Sequence, residues 1–266
     1  MAQRWKFVGQ PLRPGPLDVA IYEEVAKGWA GFHPGRKAKA LLLGVTPEIA
    51  GMAWPAGCEL LSIDRSTAMI AIVWPAPKTL PAISVCADWR QMPLRPGSRD
   101  LVFGDGCLAL IPYPDGFREM IAALRAAIAE DGRLTLRFFA RPEQREPLDA
   151  VFDDLTEGRI GNFNCFKWRL AMAVHGETSN QGVRLAEVWS AWEKRNIDPE
   201  ELAAKLGWSV DVIVTLENYR DQATRYYFPT LREILAVFSE RFVEQTVHLP
   251  GYEIGERCPI VVFAPR

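Results

Sequence analysis

Residues 39–64 read KALLLGVTPEIAGMAWPAGCELLSID, and this stretch decides the fold. Its first apolar run, residues 39–44, is long enough for a buried strand, and a second run covers residues 59–63. Gly44 closes the first run, and Asp64 follows the second, twenty positions beyond that glycine. Two short apolar runs joined by a loop and a helix are typical of neighbouring parallel strands.

Three more runs of strand length follow, AISVC at 82–86, DLVF at 100–103 and RLTLRFF at 133–139. A helical pattern over 116–129 separates the last two and stops at the Asp-Gly pair 131–132. Before the first strand, apolar residues recur every four positions over 17–29, after an irregular arm of residues 1–15. This alternation predicts a doubly wound, mostly parallel α/β sheet covered on both faces.

Residues 141–225 have a different character, with helical patterns and no run of strand type. Strand patterns return at 242–249 and 259–264, after a helix over 230–238. We therefore predict one Rossmann-like domain made of residues 1–140 and 226–266, with residues 141–225 inserted as a helical lid or substrate wall. The helices predicted in the insertion cover residues 142–155, 183–195, 199–206 and 210–219.

Composition excludes several classes of function. A formal net charge of −2 without a basic stripe argues against a nucleic-acid partner. Five widely spaced cysteines without a CxxC pair, and three dispersed histidines, predict neither a metal site nor disulfides and favour the reducing cytoplasm. No apolar run approaches the roughly 18 residues that a membrane span requires, so no membrane partner is expected.

The candidate ligand site lies where the predicted parallel strands end, because ligands bind there in doubly wound sheets. Gly44 lets a ligand approach the backbone, and Asp64 is placed to accept hydrogen bonds from a ribose diol. At the end of the third strand, Asp88 is placed for an adenine amino group, with Trp89 beside the ring. Residues 104–106 (Gly-Asp-Gly) suggest an open backbone near a reacting group. The alternatives are an ordinary loop glycine, a surface aspartate, a turn cap at Asp88 and a plain tight turn.

The succession of these motifs over residues 38–140 resembles that of class I S-adenosylmethionine-dependent methyltransferases. The segments concerned are LLLGVTPEIA, LLSIDRS, VCADWRQMPL, DLVFGDGCL and LRAAIAEDGRLTLRFF. The tail, with FPTLREI, VEQTVHL and PIVVFAP, resembles the last helix and two closing strands of that fold, the last strand being antiparallel. The resemblance implies a seven-stranded sheet, S-adenosylmethionine as cofactor and S-adenosylhomocysteine as product.

Residue by residue, the resemblance implies four contact zones with the cofactor. They are Gly44, Val45, Thr46 and Glu48 for the methionine part, Asp64 with Arg65 for the ribose, Asp88 with Trp89 for adenine, and Gly104 with Asp105 for the sulfonium end.

The first motif departs from the pattern of the family. Leu42 replaces its acid, while Thr46 and Glu48 replace two of its glycines. Glu48 either repels the cofactor's carboxylate or pairs with its ammonium or sulfonium charge, and Thr46 is placed to donate its hydroxyl to the carboxylate.

A general base is needed if the methyl acceptor is a hydroxyl or an acidic amine. The candidates are His175, Asp105 and Tyr226. The insertion also contains an aromatic and basic stretch at 162–169, NFNCFKWR, which either binds an anionic or planar substrate or packs helices together.

Three functions stay open at this point. The first is methyl transfer from S-adenosylmethionine to an unidentified acceptor, most simply a small molecule, although a protein side chain is included. The second is a non-catalytic protein that binds the cofactor or a partner, which the altered first motif favours. The third is an NAD-dependent oxidoreductase, whose glycine fingerprint would be fuller. The sequence does not decide whether the chain forms a homodimer.

Overall fold

A computed structural model describes residues 7–266, and a seven-stranded sheet lies at its centre. The strands of the chain are β1 (Lys39–Leu43), β2 (Glu59–Asp64), β3 (Ala82–Cys86), β4 (Arg99–Asp105), β5 (Ile128–Arg137), β6 (Val183–Arg184), β7 (Arg225–Tyr226), β8 (Phe242–His248) and β9 (Ile260–Pro265). The order across the sheet is β3-β2-β1-β4-β5-β9-β8. Strands β1 to β5 are parallel, and β9 is antiparallel to both of its neighbours. The predicted fold class is confirmed.

The helices of the described residues either pack on the two faces of this sheet or form a separate block. They are α1 (Pro16–Phe32), α2 (Pro47–Ala50), α3 (Thr67–Val73), α4 (Asp115–Ala127), α5 (Leu148–Thr156), α6 (Phe163–Val174), α7 (Leu185–Glu193), α8 (Pro199–Leu206), α9 (Val210–Ile213) and α10 (Leu231–Phe238). Side chains alternate along a strand, so β1 supplies two cores. Leu42 packs with α1 on one face, whereas Leu41 and Leu43 pack with α4 and α10 on the other.

The helical block, α5 to α9, has an apolar core of its own. This core extends to Phe139 just after β5 and to Ile254 and Cys258 before β9, so the block is fixed to the carboxyl end of the sheet. Eleven of the twelve residues of α6 are buried, which makes this helix the centre of the block.

The structure corrects several details of the prediction for residues 141–225. Strands β6 and β7 form a short antiparallel ribbon where no strand was expected. Helix α6 was not predicted, and α5 begins at Leu148 instead of residue 142. The expected helix over 210–219 is divided into α9 and a 3-10 segment, Val214–Tyr219.

Of the irregular arm, residues 1–6 lie outside the described residues, and residues 8–15 form turns without helix or strand. Within residues 7–266, no helix combines the length and apolar character needed to cross a bilayer.

Helix α1 is joined to the sheet by Tyr22, whose side chain is completely buried. Its hydroxyl donates to the Gly104 carbonyl at 2.8 Å and accepts from the Arg137 backbone N–H at 3.1 Å. One hydroxyl therefore connects the carboxyl ends of β4 and β5 to the helix above them.

We expect Tyr22→Phe to lower the free energy of unfolding by about 1–3 kcal/mol, because two buried backbone groups lose their partner. Urea titration followed by circular dichroism measures this. Tyr113→Phe is the control, since its hydroxyl makes only a 3.4 Å contact with the Glu233 carbonyl. It should cost less than about 0.5 kcal/mol. Equal losses in the two variants would contradict the role of Tyr22.

Candidate functional site

Three predicted ligand residues meet at the ends of β1 and β2. Gly44 has a φ of +92°, which favours glycine, and a Cβ added to it would lie 3.8 Å from Asp64 Oδ2 and 3.9 Å from Trp89 Cζ2. Hydrogen bonds fix the glycine, since its N–H donates to the Ile63 carbonyl and its carbonyl accepts from the Ser62 hydroxyl. Backbone, carboxylate and indole therefore surround one point of the crevice.

Asp64 directs its Oδ2 toward this point, while its Oδ1 is already hydrogen-bonded. Its Oδ1 accepts the Ser66 N–H at 2.8 Å, and burial raises the pKa of the half-buried carboxyl above the ordinary value of 3.8. Trp89 is fixed by its indole N–H, which donates to the Ile63 carbonyl at 2.6 Å. Arg65, also predicted to lie at the ribose, is exposed, and its carbonyl is 3.6 Å from Cys86 Sγ.

Asp88 performs the alternative task considered for it. Its Oδ1 accepts the Arg90 backbone N–H at 2.9 Å, and its Oδ2 accepts the Arg90 guanidinium at 2.8 Å. This guanidinium lowers the pKa of Asp88 to about 2. An adenine contact from Asp88, which stays a prediction, would therefore compete with Arg90.

Glu48 at the start of α2 is paired with the arm. Its Oε1 accepts Arg13 Nε at 2.8 Å and also pairs with Arg13 Nη2. Its Oε2 is buried and has no hydrogen-bond partner among the described residues. Val45 and Thr46, which precede α2, are buried. The sequence prediction missed Arg13, because nothing in an irregular segment indicates a partner 35 positions away.

A buried charge network lies beneath the ends of β4 and β5. The Arg137 guanidinium pairs with Asp105, donates to the Pro11 carbonyl at 2.8 Å and to the Tyr252 hydroxyl at 3.1 Å, and lies 3.9 Å from Asp18 Oδ2. Burial raises the pKa of Asp105, and the Arg137 charge opposes this shift. The sequence prediction found Asp105 but missed its partner.

The Gly-Asp-Gly turn is filled by side chains, which corrects the expected open backbone. A Cβ on Gly104 would lie 2.9 Å from Leu136 Cδ2 and 3.0 Å from Cys107 Sγ. On Gly106 it would lie 2.4 Å from the Phe139 ring. These glycines are therefore required by close packing.

The other two candidate bases lie in the helical block and its connection to the sheet. His175 is buried, with Nδ1 2.9 Å from the Gly176 carbonyl and Nε2 accepting the Phe228 N–H at 3.4 Å. Burial lowers its pKa. Tyr226 is buried against Trp168, with ring centroids 5.1 Å apart, and burial raises the pKa of its phenol. A base role for His175 would require one of its contacts to break, and both assignments stay predictions.

Metal ligation finds no support within residues 7–266, since no group of three or more His, Cys, Asp or Glu side chains there could hold an ion.

Comparison by sequence with known family profiles and with curated proteins finds no match. Solved structures do match. A Rhodobacter sphaeroides protein described as a candidate Zn-dependent alcohol dehydrogenase superposes with a TM-score of 0.60 at 14% identity, covering 100% of this chain and 97% of its own. An S-adenosylmethionine-dependent methyltransferase from Methanosarcina mazei gives 0.54 at 14% identity, covering 96% and 99%. The CurJ carbon methyltransferase gives 0.52 at 13% identity, covering 96% of this chain and 56% of its own. The chain therefore has the fold of the class I S-adenosylmethionine-dependent methyltransferases.

Proposed function

We propose that this chain is an S-adenosylmethionine-dependent methyltransferase. The observation that carries the proposal is the meeting of Gly44, Asp64 and Trp89 at one point above β1 and β2. A carboxylate there accepts hydrogen bonds from both hydroxyls of a ribose, which a neutral side chain does less well. The Trp89 indole offers a flat surface beside it for adenine.

The residues at the other end of the crevice fit an amino-acid group. Glu48 Oε2 is a buried carboxylate oxygen without a partner among the described residues, and a ligand ammonium would satisfy it. Arg13 already donates to the other oxygen of the same carboxylate, and its positive charge lies where it would attract a ligand carboxylate. Glu48 in place of the family's glycine is thus compatible with the cofactor. The ammonium of the ligand would lie against Glu48, and its carboxylate would lie near Arg13.

Bound S-adenosylmethionine would supply an activated methyl group, so the protein mainly has to bind, orient and exclude water. The arm and the helical block perform the last task. Residues of the arm contact Glu48 and Arg137, and the block packs on Phe139 at the end of β5. Asp105 and Asp18 carry two negative charges against the single positive charge of Arg137, and this excess would favour the sulfonium charge of the cofactor nearby.

The acceptor in this proposal is a small molecule or a protein side chain. For proton removal, Tyr226 is buried beside Trp168, whereas Asp105 would first have to leave Arg137. We retain His175 as the third candidate base.

The sheet argues against the NAD-dependent alternative. Dinucleotide-binding sheets usually end with a sixth parallel strand beside the fifth, but here the antiparallel β9 takes that position. Titration calorimetry with S-adenosylhomocysteine and with NAD separates the two. Binding of NAD alone would overturn the proposal.

Turnover requires a separate test, because a non-catalytic binding protein would also bind S-adenosylhomocysteine. We expect radiolabelled methyl groups to pass from S-adenosylmethionine to a component of a metabolite or protein fraction. Cofactor binding without transfer to any fraction would favour the binding protein.

We expect Asp64→Asn to weaken S-adenosylhomocysteine binding about 10- to 100-fold, which corresponds to the 1.5–3 kcal/mol of a hydrogen bond to a charged group. Calorimetry measures this change. Asp153→Asn is the matched control, because Asp153 is exposed on α5. An unchanged affinity in Asp64→Asn would refute the ribose assignment.

Glu48→Gln tests the amino-acid end separately. We expect it to weaken S-adenosylhomocysteine roughly 10-fold while leaving 5′-methylthioadenosine, which lacks the amino-acid group, unchanged. Asp64→Asn should weaken both ligands, since both contain the ribose. If Glu48→Gln weakens both ligands equally, Glu48 shapes the loop and does not bind the ammonium.

A further inference from the structure

Helix α6 presents two buried polar side chains one turn apart, Asn164 and Trp168, which are 6% and 4% exposed. Asn164 Oδ1 and the Trp168 indole N–H have no hydrogen-bond partner among the described residues. Arg137 Nη2, on a side chain only 1% exposed, has none there either. Buried polar atoms are nearly always paired, so two unpaired donors and one unpaired acceptor indicate a ligand.

Shared neighbours connect these three groups. The Phe139 ring packs on Trp168 with centroids 4.8 Å apart, and the Arg137 guanidinium lies 5.3 Å from the same ring. Arg137 Nη1 donates to the Pro11 carbonyl of the arm. Asn164 meets the arm two residues earlier, where a Cβ on Gly9 would lie 3.3 Å from its Nδ2. The junction of α6, the end of β5 and arm residues 9–11 is hereafter the arm junction.

The chemistry of the arm junction selects the ligand. Asn164 Oδ1 requires a donor, whereas the Trp168 indole and the Arg137 guanidinium require an acceptor. The Phe139, Trp168 and Tyr226 rings pack edge-on against one another, so a ligand here would meet aromatic surface, which suits a flat ring. Asp105 and Asp18 leave no unneutralised positive charge on Arg137, which argues against an anionic ligand.

We propose that the arm junction binds a planar cyclic amide, with its N–H toward Asn164 and its carbonyl toward Trp168 and Arg137. The inference rests on the proposed function in one respect, namely that this ligand is the methyl acceptor. Gly106 contacts Phe139, and the adjacent Asp105 is one of the residues predicted to lie near the sulfonium end. The arm covers the site, so exchange of the ligand requires residues 9–13 to lift from Arg137 and Glu48.

The test uses 2-quinolone, a flat lactam, and N-methyl-2-quinolone, which lacks the N–H. We expect the wild-type protein to bind 2-quinolone at least fivefold more tightly in ligand-observed NMR. Trp168→Phe keeps a ring but removes the donor and should weaken 2-quinolone at least fivefold. Trp189→Phe is the matched control, because the Trp189 N–H already donates to Glu217 at 3.3 Å.

Asn164→Leu should abolish the preference for 2-quinolone over its N-methyl analogue. Absence of 2-quinolone binding, equal binding of both probes by the wild type, or equal losses in Trp168→Phe and Trp189→Phe would overturn the inference.

Titration of S-adenosylhomocysteine into the same variants separates this inference from the proposed function. Trp168→Phe should bind S-adenosylhomocysteine as the wild type does. If the wild type binds 2-quinolone in the expected pattern but not S-adenosylhomocysteine, the lactam site stands and the methyltransferase proposal falls.

Discussion

The constraint on which the rest of this structure depends is the burial of one guanidinium, that of Arg137, at the end of a central strand. A charge removed from water requires partners of opposite sign and hydrogen-bond acceptors in good geometry. Asp105 comes from the neighbouring strand, Asp18 from α1, Tyr252 from the segment before β9 and the Pro11 carbonyl from the arm. Five distant parts of the chain therefore have to be assembled before this charge is satisfied.

The network also explains why the Gly104-Asp105-Gly106 turn is closely packed. The Tyr22 hydroxyl makes hydrogen bonds with the backbone of Gly104 and of Arg137. The space beside the two glycines that flank Asp105 is occupied by the side chains of Leu136, Cys107 and Phe139. The carboxyl ends of β4 and β5 are consequently closely packed, whereas at those of β1 and β2 a Cβ added to Gly44 would lie 3.8 Å from Asp64 Oδ2. One half of the sheet thus has strand ends filled by side chains, and the other half has the strand ends that carry the proposed cofactor residues.

Local pattern was sufficient for the sheet, because each central strand is a short apolar run bounded by glycine or acid. The same pattern brought Gly44, Asp64 and Trp89 together, since parallel strands end at one edge. It failed for Arg13 and Arg137, whose partners are distant in sequence and whose charge suggested exposure. It also failed for α6: a helix buried on all sides loses the polar face that makes its period visible.

Two features that the sequence prediction missed, the burial of Arg137 and helix α6, meet at the arm junction. Burial of Arg137 and Asn164 runs against their ordinary preference for water, so the local sequence opposes the fold at the arm junction. Such conflicts between local preference and the global fold are expected at functional sites, where other parts of the chain compensate for them. A single unpaired atom there would indicate little, but Arg137 and Trp168 each have one beside the Phe139 ring, and Asn164 has a third, one helical turn from Trp168. Stability alone would favour apolar side chains in these positions, and this supports the proposal that the arm junction is kept polar for a ligand.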